Sequence, residues 1–248
     1  MSLLNWFKRR RNSRISPEER STIKQEAFRK IDQLRKEASI ARIGGFKPTE
    51  AKFTSRFSGN FLMTENENWP KWKNKYIESI LQVNIEELPL IPPILQDYQL
   101  ITIFIDPRNI PFNLPHGEGW EIRLYKDKSN LMERPNPNLK SKLKPFEIKW
   151  IKTNDEFPSM EDAASKIDLD SFEQLEDCGD IYYDNYTNHE YTKIGGWPSI
   201  IQHPLDMNVE DLVIQIGSES KAKLNWMDGG TVYIGFTNGQ WKLECQSY

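Results

Sequence analysis

The feature that most constrains this chain is an order of elements that occurs twice. Lys193–Gln202 reads KIGGWPSIIQ, Leu212–Ser220 reads LVIQIGSES and Asn225–Phe236 reads NWMDGGTVYIGF, with little between them. A fainter version comes earlier, as ARIGGF from Ala41, ILQVNIEELP from Ile80 and LITIFIDP from Leu100. Gly44-Gly45, Gln82 and the run from Ile101 to Ile105 therefore follow the order of Gly195-Gly196, Gln215 and the run from Thr231 to Phe236, at different spacings. Two copies with a variable insert predict one globule with a pseudo-twofold core, because a stacked array needs three or more units to bury its faces. The expected fold class is α+β: a β-rich single globule of two degenerate repeats of mainly antiparallel strands, preceded by an N-terminal helix. The first repeat spans about 40–110, an insert about 111–190 and the second repeat about 191–248.

A chain of 248 residues can bury one substantial core, and eight tryptophans supply large pieces of apolar surface for it. No run reaches the roughly 18 apolar residues of a membrane-spanning helix. The apolar residues Leu3, Leu4, Trp6 and Phe7 precede the basic cluster, the reverse of the secretory order. Cys178 and Cys245 are too few for a disulfide framework, which places the chain in a reducing cytoplasm.

The net charge of −3 conceals an asymmetry. Residues 1–38 carry 11 Lys and Arg against 5 Asp and Glu, whereas residues 155–190 carry 12 acidic residues and only Lys166 to offset them. Such a segment attracts a cationic partner and repels nucleic acid. Residues 1–15 read as a disordered basic tail, in which Lys8, Arg9, Arg10, Arg11 and Arg14 support at most weak contact with an anionic membrane surface. Residues 16–39 read as an amphipathic helix packed on the core: Ser16 is the N-cap, Pro17 the first helical residue, and Ile23, Ala27, Ile31, Leu34 and Ala38 form one stripe.

Beyond Ile40 the better strands are Ser79–Val83, Leu100–Ile105, Trp120–Tyr125, Pro145–Ile151, Leu212–Ile216 and Thr231–Phe236. Met160–Leu175 reads as one or two short helices. Asn238-Gly239 between Phe236 and Trp241 is the strongest hairpin signal in the chain, and Leu243–Tyr248 is expected at a sheet edge.

The chain carries none of the usual phosphate-binding glycine loops, zinc spacings or calcium loops. Cys178 lies among Glu176, Asp177 and Asp180, whose negative field makes a poor nucleophile. A non-enzymatic protein without metal or cofactor is the preferred reading. The better polar candidates are Gln82 and Gln215, amides inside apolar strands that either face a ligand or pin the neighbouring Gly-Gly loop, and Asp228 beside Trp226.

The segments KIGGWPSIIQ, LVIQIGSES, NWMDGGTVYIGF and the closing WKLECQSY resemble the YwqG-like bacterial family, a domain family without an assigned activity. The resemblance spans about 40–248 and is specific at its C-terminal end. It falls on Gly195, Gly196, Pro198, Gln202, Gln215, Trp226, Asp228 and Gly230, with Met227 where the family has glycine. It implies a cytoplasmic protein with no cofactor. With Gln82 and Trp197, these positions mark a possible ligand pocket made of Gln82, Gly195, Gly196, Trp197, Gln202, Gln215, Trp226 and Asp228.

Two functions are expected from different classes. One is an interaction protein of the immunity type, whose Asp168, Asp170, Glu173, Glu176, Asp177, Asp180 and Asp184 bind and neutralise a basic protein partner such as a toxin. The other is a small-ligand-binding protein or hydrolytic enzyme with its site between the two repeats.

Overall fold

The computed structural model describes residues 15–49, 51–202 and 204–248. The expected basic tail, apart from Ile15, and His203 lie outside the described residues. The chain forms two compact units. One joins the N-terminal segment up to Arg35 to Met160–Tyr186; the other comprises Lys36–Ser159 and Thr187–Tyr248.

In the smaller unit, helix α1 (Pro17–Ile31) starts at the N-cap Ser16, whose side chain accepts from the Glu19 amide at 3.1 Å. Its apolar stripe buries Ala27 and Ile31. Phe28 meets Phe172 and Tyr186 edge-on, at centroid distances of 6.5 and 5.4 Å. The helices α2 (Met160–Lys166), α3 (Asp170–Glu173) and α4 (Cys178–Asn185) come from the acidic segment. The helix that the sequence extends to residue 39 instead ends at Ile31, passes through one 3-10 turn and becomes strand β1 (Lys36–Ile43). Ala38, placed on the helix stripe from the sequence, is buried in that strand, paired with Thr153 and Gly195. Small alternating residues between two neighbouring strands satisfy a period of two as well as a helical one, and the ladder decides.

The larger unit is organised by one ten-stranded antiparallel sheet. With β1 its strands are β2 (Arg56–Phe57), β6 (Glu78–Asn84), β7 (Leu100–Ile105), β8 (Trp120–Tyr125), β10 (Phe146–Glu156), β11 (Lys193–Gly195), β12 (Leu212–Gly217), β13 (Thr231–Thr237) and β14 (Gln240–Gln246), while β3 (Phe61–Met63) pairs with β9 (Met132–Arg134) and β4 (Lys71–Trp72) with β5 (Lys75–Tyr76) outside it. The order is β14-β13-β12-β11-β1-β10-β2-β6-β7-β8. A central pair, β1 and β10, is thus flanked on each side by one short strand and then three longer ones joined to their sequence neighbours. The sheet curls, since Trp120 from one end strand and Leu243 and Cys245 from the other share a single apolar core with Ile80, Ile103, Ile214 and Ile234. The β13–β14 hairpin turns through Asn238 and Gly239, both at positive φ as a type I′ turn requires, and β14 is an end strand as expected.

Candidate functional site

Gln82 and Gln215 are completely buried, and both amides are spent inside the protein. Gln82 accepts from the Leu62 amide at 3.0 Å and donates to the Thr54 carbonyl at 2.9 Å. Gln215 accepts from the Ser199 amide at 2.8 Å and donates to the carbonyls of Tyr191 and His189 at 2.9 and 3.2 Å. Each glutamine therefore ties down the loop that follows a short strand. Ser58-Gly59 stands at the same offset from Arg56 as Gly195-Gly196 does from Lys193, all four at positive φ, whereas the sequence order puts Gly44-Gly45 in that place.

The other expected pocket residues do not gather around a cavity with these two. Gly196 lies so close to the sheet that an added Cβ would sit 2.8 Å from Glu156 Cγ and 3.0 Å from Ala38 Cβ, and Gly195 packs by Leu90 and Pro92. Trp197 is buried beneath the Lys36 ammonium, 3.5 Å from the ring centroid. Trp226 is fully buried, and its indole N–H has no partner among the described residues. Gln202 and Asp228 are exposed, and the Gln202 backbone is held by the side chain of Gln246.

The glycine pair instead makes room for a charged cluster that sequence reasoning missed. Glu156 and Lys193 are both completely buried and meet at 2.5 Å. His189 Nδ1 bonds the second oxygen of Glu156 at 2.8 Å, and Lys193 also donates to Asn188 Oδ1 at 3.2 Å. Burial outweighs the attraction of Glu156 and lowers the Lys193 pKa to about 8. The carboxylate orients the imidazole through Nδ1, and the ring is 25% exposed. Nothing in the sequence marks Lys193 as internal, since lysine is ordinarily a surface residue. The available signal is its place between Thr192 and Ile194 in a short apolar strand.

A groove of about 670 Å³ runs where the two ends of the curled sheet approach each other. Trp241, Lys242, Leu243 and Glu244 of β14 form one wall, and the loop with Asn113 and His116 forms the other. His116 Nε2 accepts from the Ile122 amide at 3.0 Å, which orients the ring. Glu244 accepts from the amides of Asp206 and Met207 at 2.8 and 2.5 Å.

The expected partner-binding carboxylates are all in the smaller unit. Asp168 pairs with Lys30 at 3.1 Å and Asp177 with Arg20. The backbone N–H of Asp170 lowers the Asp168 pKa, and the Arg20 hydrogen bond lowers that of Asp177. Asp170, Glu173, Glu176, Asp180 and Asp184 are exposed and form no ion pair among the described residues. Cys178 is partly exposed and Cys245 buried, both as free thiols.

Among the described residues no group of three His, Cys, Asp or Glu is placed to hold a metal, and no helix is long and apolar enough to cross a membrane. A family model described as a domain of unknown function, DUF1963, matches residues 55–240, three quarters of the chain. No curated protein matches the sequence.

Proposed function

The chain belongs to the DUF1963 family, a domain of unknown function, and from that premise we propose that it is a non-enzymatic interaction protein that binds a basic protein partner. The observation that carries this reading is the division of labour among the acidic residues. Arg20 and Lys30 neutralise Asp177 and Asp168, while Asp170, Glu173, Glu176, Asp180 and Asp184 remain exposed. Exposed like charges on one small unit steer a cationic partner and repel phosphate. The most concrete form is a cytoplasmic immunity-type protein that neutralises a basic toxin. The YwqG-like resemblance of the C-terminal segments is compatible with this reading and assigns no chemistry against it.

We also infer that the sheet descends from two copies of one unit. The equal offsets support it: Gln82 and Gln215 each bond residues two before and six after the strand residue they pair with, Arg56 and Lys193.

The test is capture from native lysate at low and high salt, with the intact chain and with the five exposed carboxylates changed to Asn or Gln. A stoichiometric basic partner lost in the variant and released by salt supports the reading, and the same partner retained by the variant removes it. A second reading, a small-ligand or hydrolytic site between the halves, rests on the groove beside His116. It predicts a bound small molecule released on denaturing the purified protein.

A further inference from the structure

β14 ends the sheet, so among the described residues one of its long sides has no neighbouring strand. The two-residue turn closed by Thr237 and Gln240 fixes which groups face outward. In an antiparallel pair, bonded and non-bonded residues alternate. Gln240, Lys242, Glu244 and Gln246 therefore bond β13, while the N–H and C=O groups of Trp241, Leu243 and Cys245 point away from it. Among the described residues these outward groups have no backbone partner.

The groove lies along this edge. Trp241 and Leu243 pack toward the apolar core, whereas Lys242 and Glu244 project from the opposite face, yet all four line the groove. Only a cavity running beside the strand, in the plane of the sheet, touches both sets. We propose that this edge takes up an extended segment of a partner protein as an eleventh strand, carrying a Lys or Arg opposite Asp206 and Glu244.

Three observations favour that occupant. The outward N–H and C=O groups of alternate residues are what main-chain recognition uses in strand addition. The groove is walled on its far side by the loop with Asn113 and His116, so it accepts a single strand and not the edge of another sheet with a second strand behind it. Its charge complements a cation, because both Glu244 oxygens are held by backbone amides, which fixes the carboxylate beside the exposed Asp206. Lys242, on the same face, selects an acidic or polar residue two positions away on the incoming strand.

This surface belongs to the larger unit and does not depend on the acidic helices, so neutralising the five exposed carboxylates leaves it intact. The test is selection of a displayed library of random ten-residue peptides on the full-length protein, followed by amide hydrogen exchange with the best synthetic peptide. The expected peptides alternate apolar residues with a basic one. At a peptide concentration about 100 times Kd, exchange at Trp241, Leu243 and Cys245 slows about a hundredfold, since only the free fraction exchanges. Asp206→Lys weakens binding at least tenfold while leaving the circular dichroism spectrum unchanged. No enriched peptide, or enriched peptides that protect other amides, overturns the proposal. Protection of the same three amides that grows with protein concentration in the absence of peptide also overturns it, since it assigns the edge to a second copy.

Discussion

Gln82 and Gln215 hold the chain at the same offsets on opposite flanks of the sheet, pairing with Arg56 and Lys193 and bonding residues two before and six after each. Their side-chain amides bond these loops. Replacing Gln82 with leucine keeps its volume and leaves the buried Leu62 amide and Thr54 carbonyl without partners, at about 1–3 kcal/mol for each unsatisfied group, whereas replacing Gln215 releases the Ser199 amide and the carbonyls of Tyr191 and His189, which are only part-buried and can turn to water. Urea unfolding is expected to show a loss for both Gln82→Leu and Gln215→Leu, the larger one for Gln82→Leu. A ligand role for one of them would give a variant of wild-type stability.

Glycines at two places should respond in opposite directions. A Cβ on Gly230 would lie 2.1 Å from the Gln246 carbonyl oxygen and 2.9 Å from that of Trp226, so the turn must move to admit alanine. Gly179 sits in the helix Cys178–Asn185 with nothing within 4 Å of such an atom. Gly230→Ala is expected to destabilise by about 1–3 kcal/mol through overpacking, and Gly179→Ala to stabilise by up to about 1 kcal/mol through helix propensity. Thermal melts of the two variants, moving apart from the wild type, check both.

Much of the sheet was legible because β6, β7, β12 and β13 are long and β-branched, and because Asn-Gly dictates its turn. The end of the first helix was not, since Ala38 suits a helical stripe and a strand equally, and only pairing with β10 and β11 decides. The sequence leaves the two glutamines open between ligand and pin, because the groups they bond, Thr54 and Leu62 for Gln82 and Tyr191 and Ser199 for Gln215, lie 16 to 28 residues away, and for Gln82 they are not in the Gly44-Gly45 loop. The Glu156–Lys193 pair was illegible for the same reason: the two are 37 residues apart, and their burial depends on space that Gly196 leaves open.

Cys245 faces the core, and burial pushes its thiol up to about 12. At pH 8 only about one thiol in ten thousand is then ionised, and the thiolate is the reactive species. Native protein treated with iodoacetamide at pH 8 is expected to keep Cys245 unmodified, and to react there once unfolded in guanidinium. Rapid native modification of Cys245, read by peptide mass, would contradict the burial of the β14 core face.

The buried Glu156–Lys193 pair gives a double-mutant cycle with a pH signature. Lys193→Met leaves the Glu156 carboxylate in the interior without its ammonium and should cost about 3–5 kcal/mol at pH 7, whereas Glu156→Gln with Lys193→Met removes both charges and should recover most of that loss. Below pH 8 the lysine is protonated in folded and unfolded chains alike, so the cost of burying its charge is fully present. Between about 8 and the ordinary 10.5 the native state sheds its proton first and the unfolded chain binds more, so this group makes stability rise with pH, by at most about 1.4 kcal/mol per unit. Tyr125, Tyr182, Tyr186 and Tyr233 act oppositely: burial raises their pKa values above 10, so above pH 10 the native state holds more protons and stability falls. Urea midpoints measured from pH 7 to 11 should rise and then fall in the wild type, and only fall in the double variant. A rising limb that survives the double substitution would assign the titration to another group.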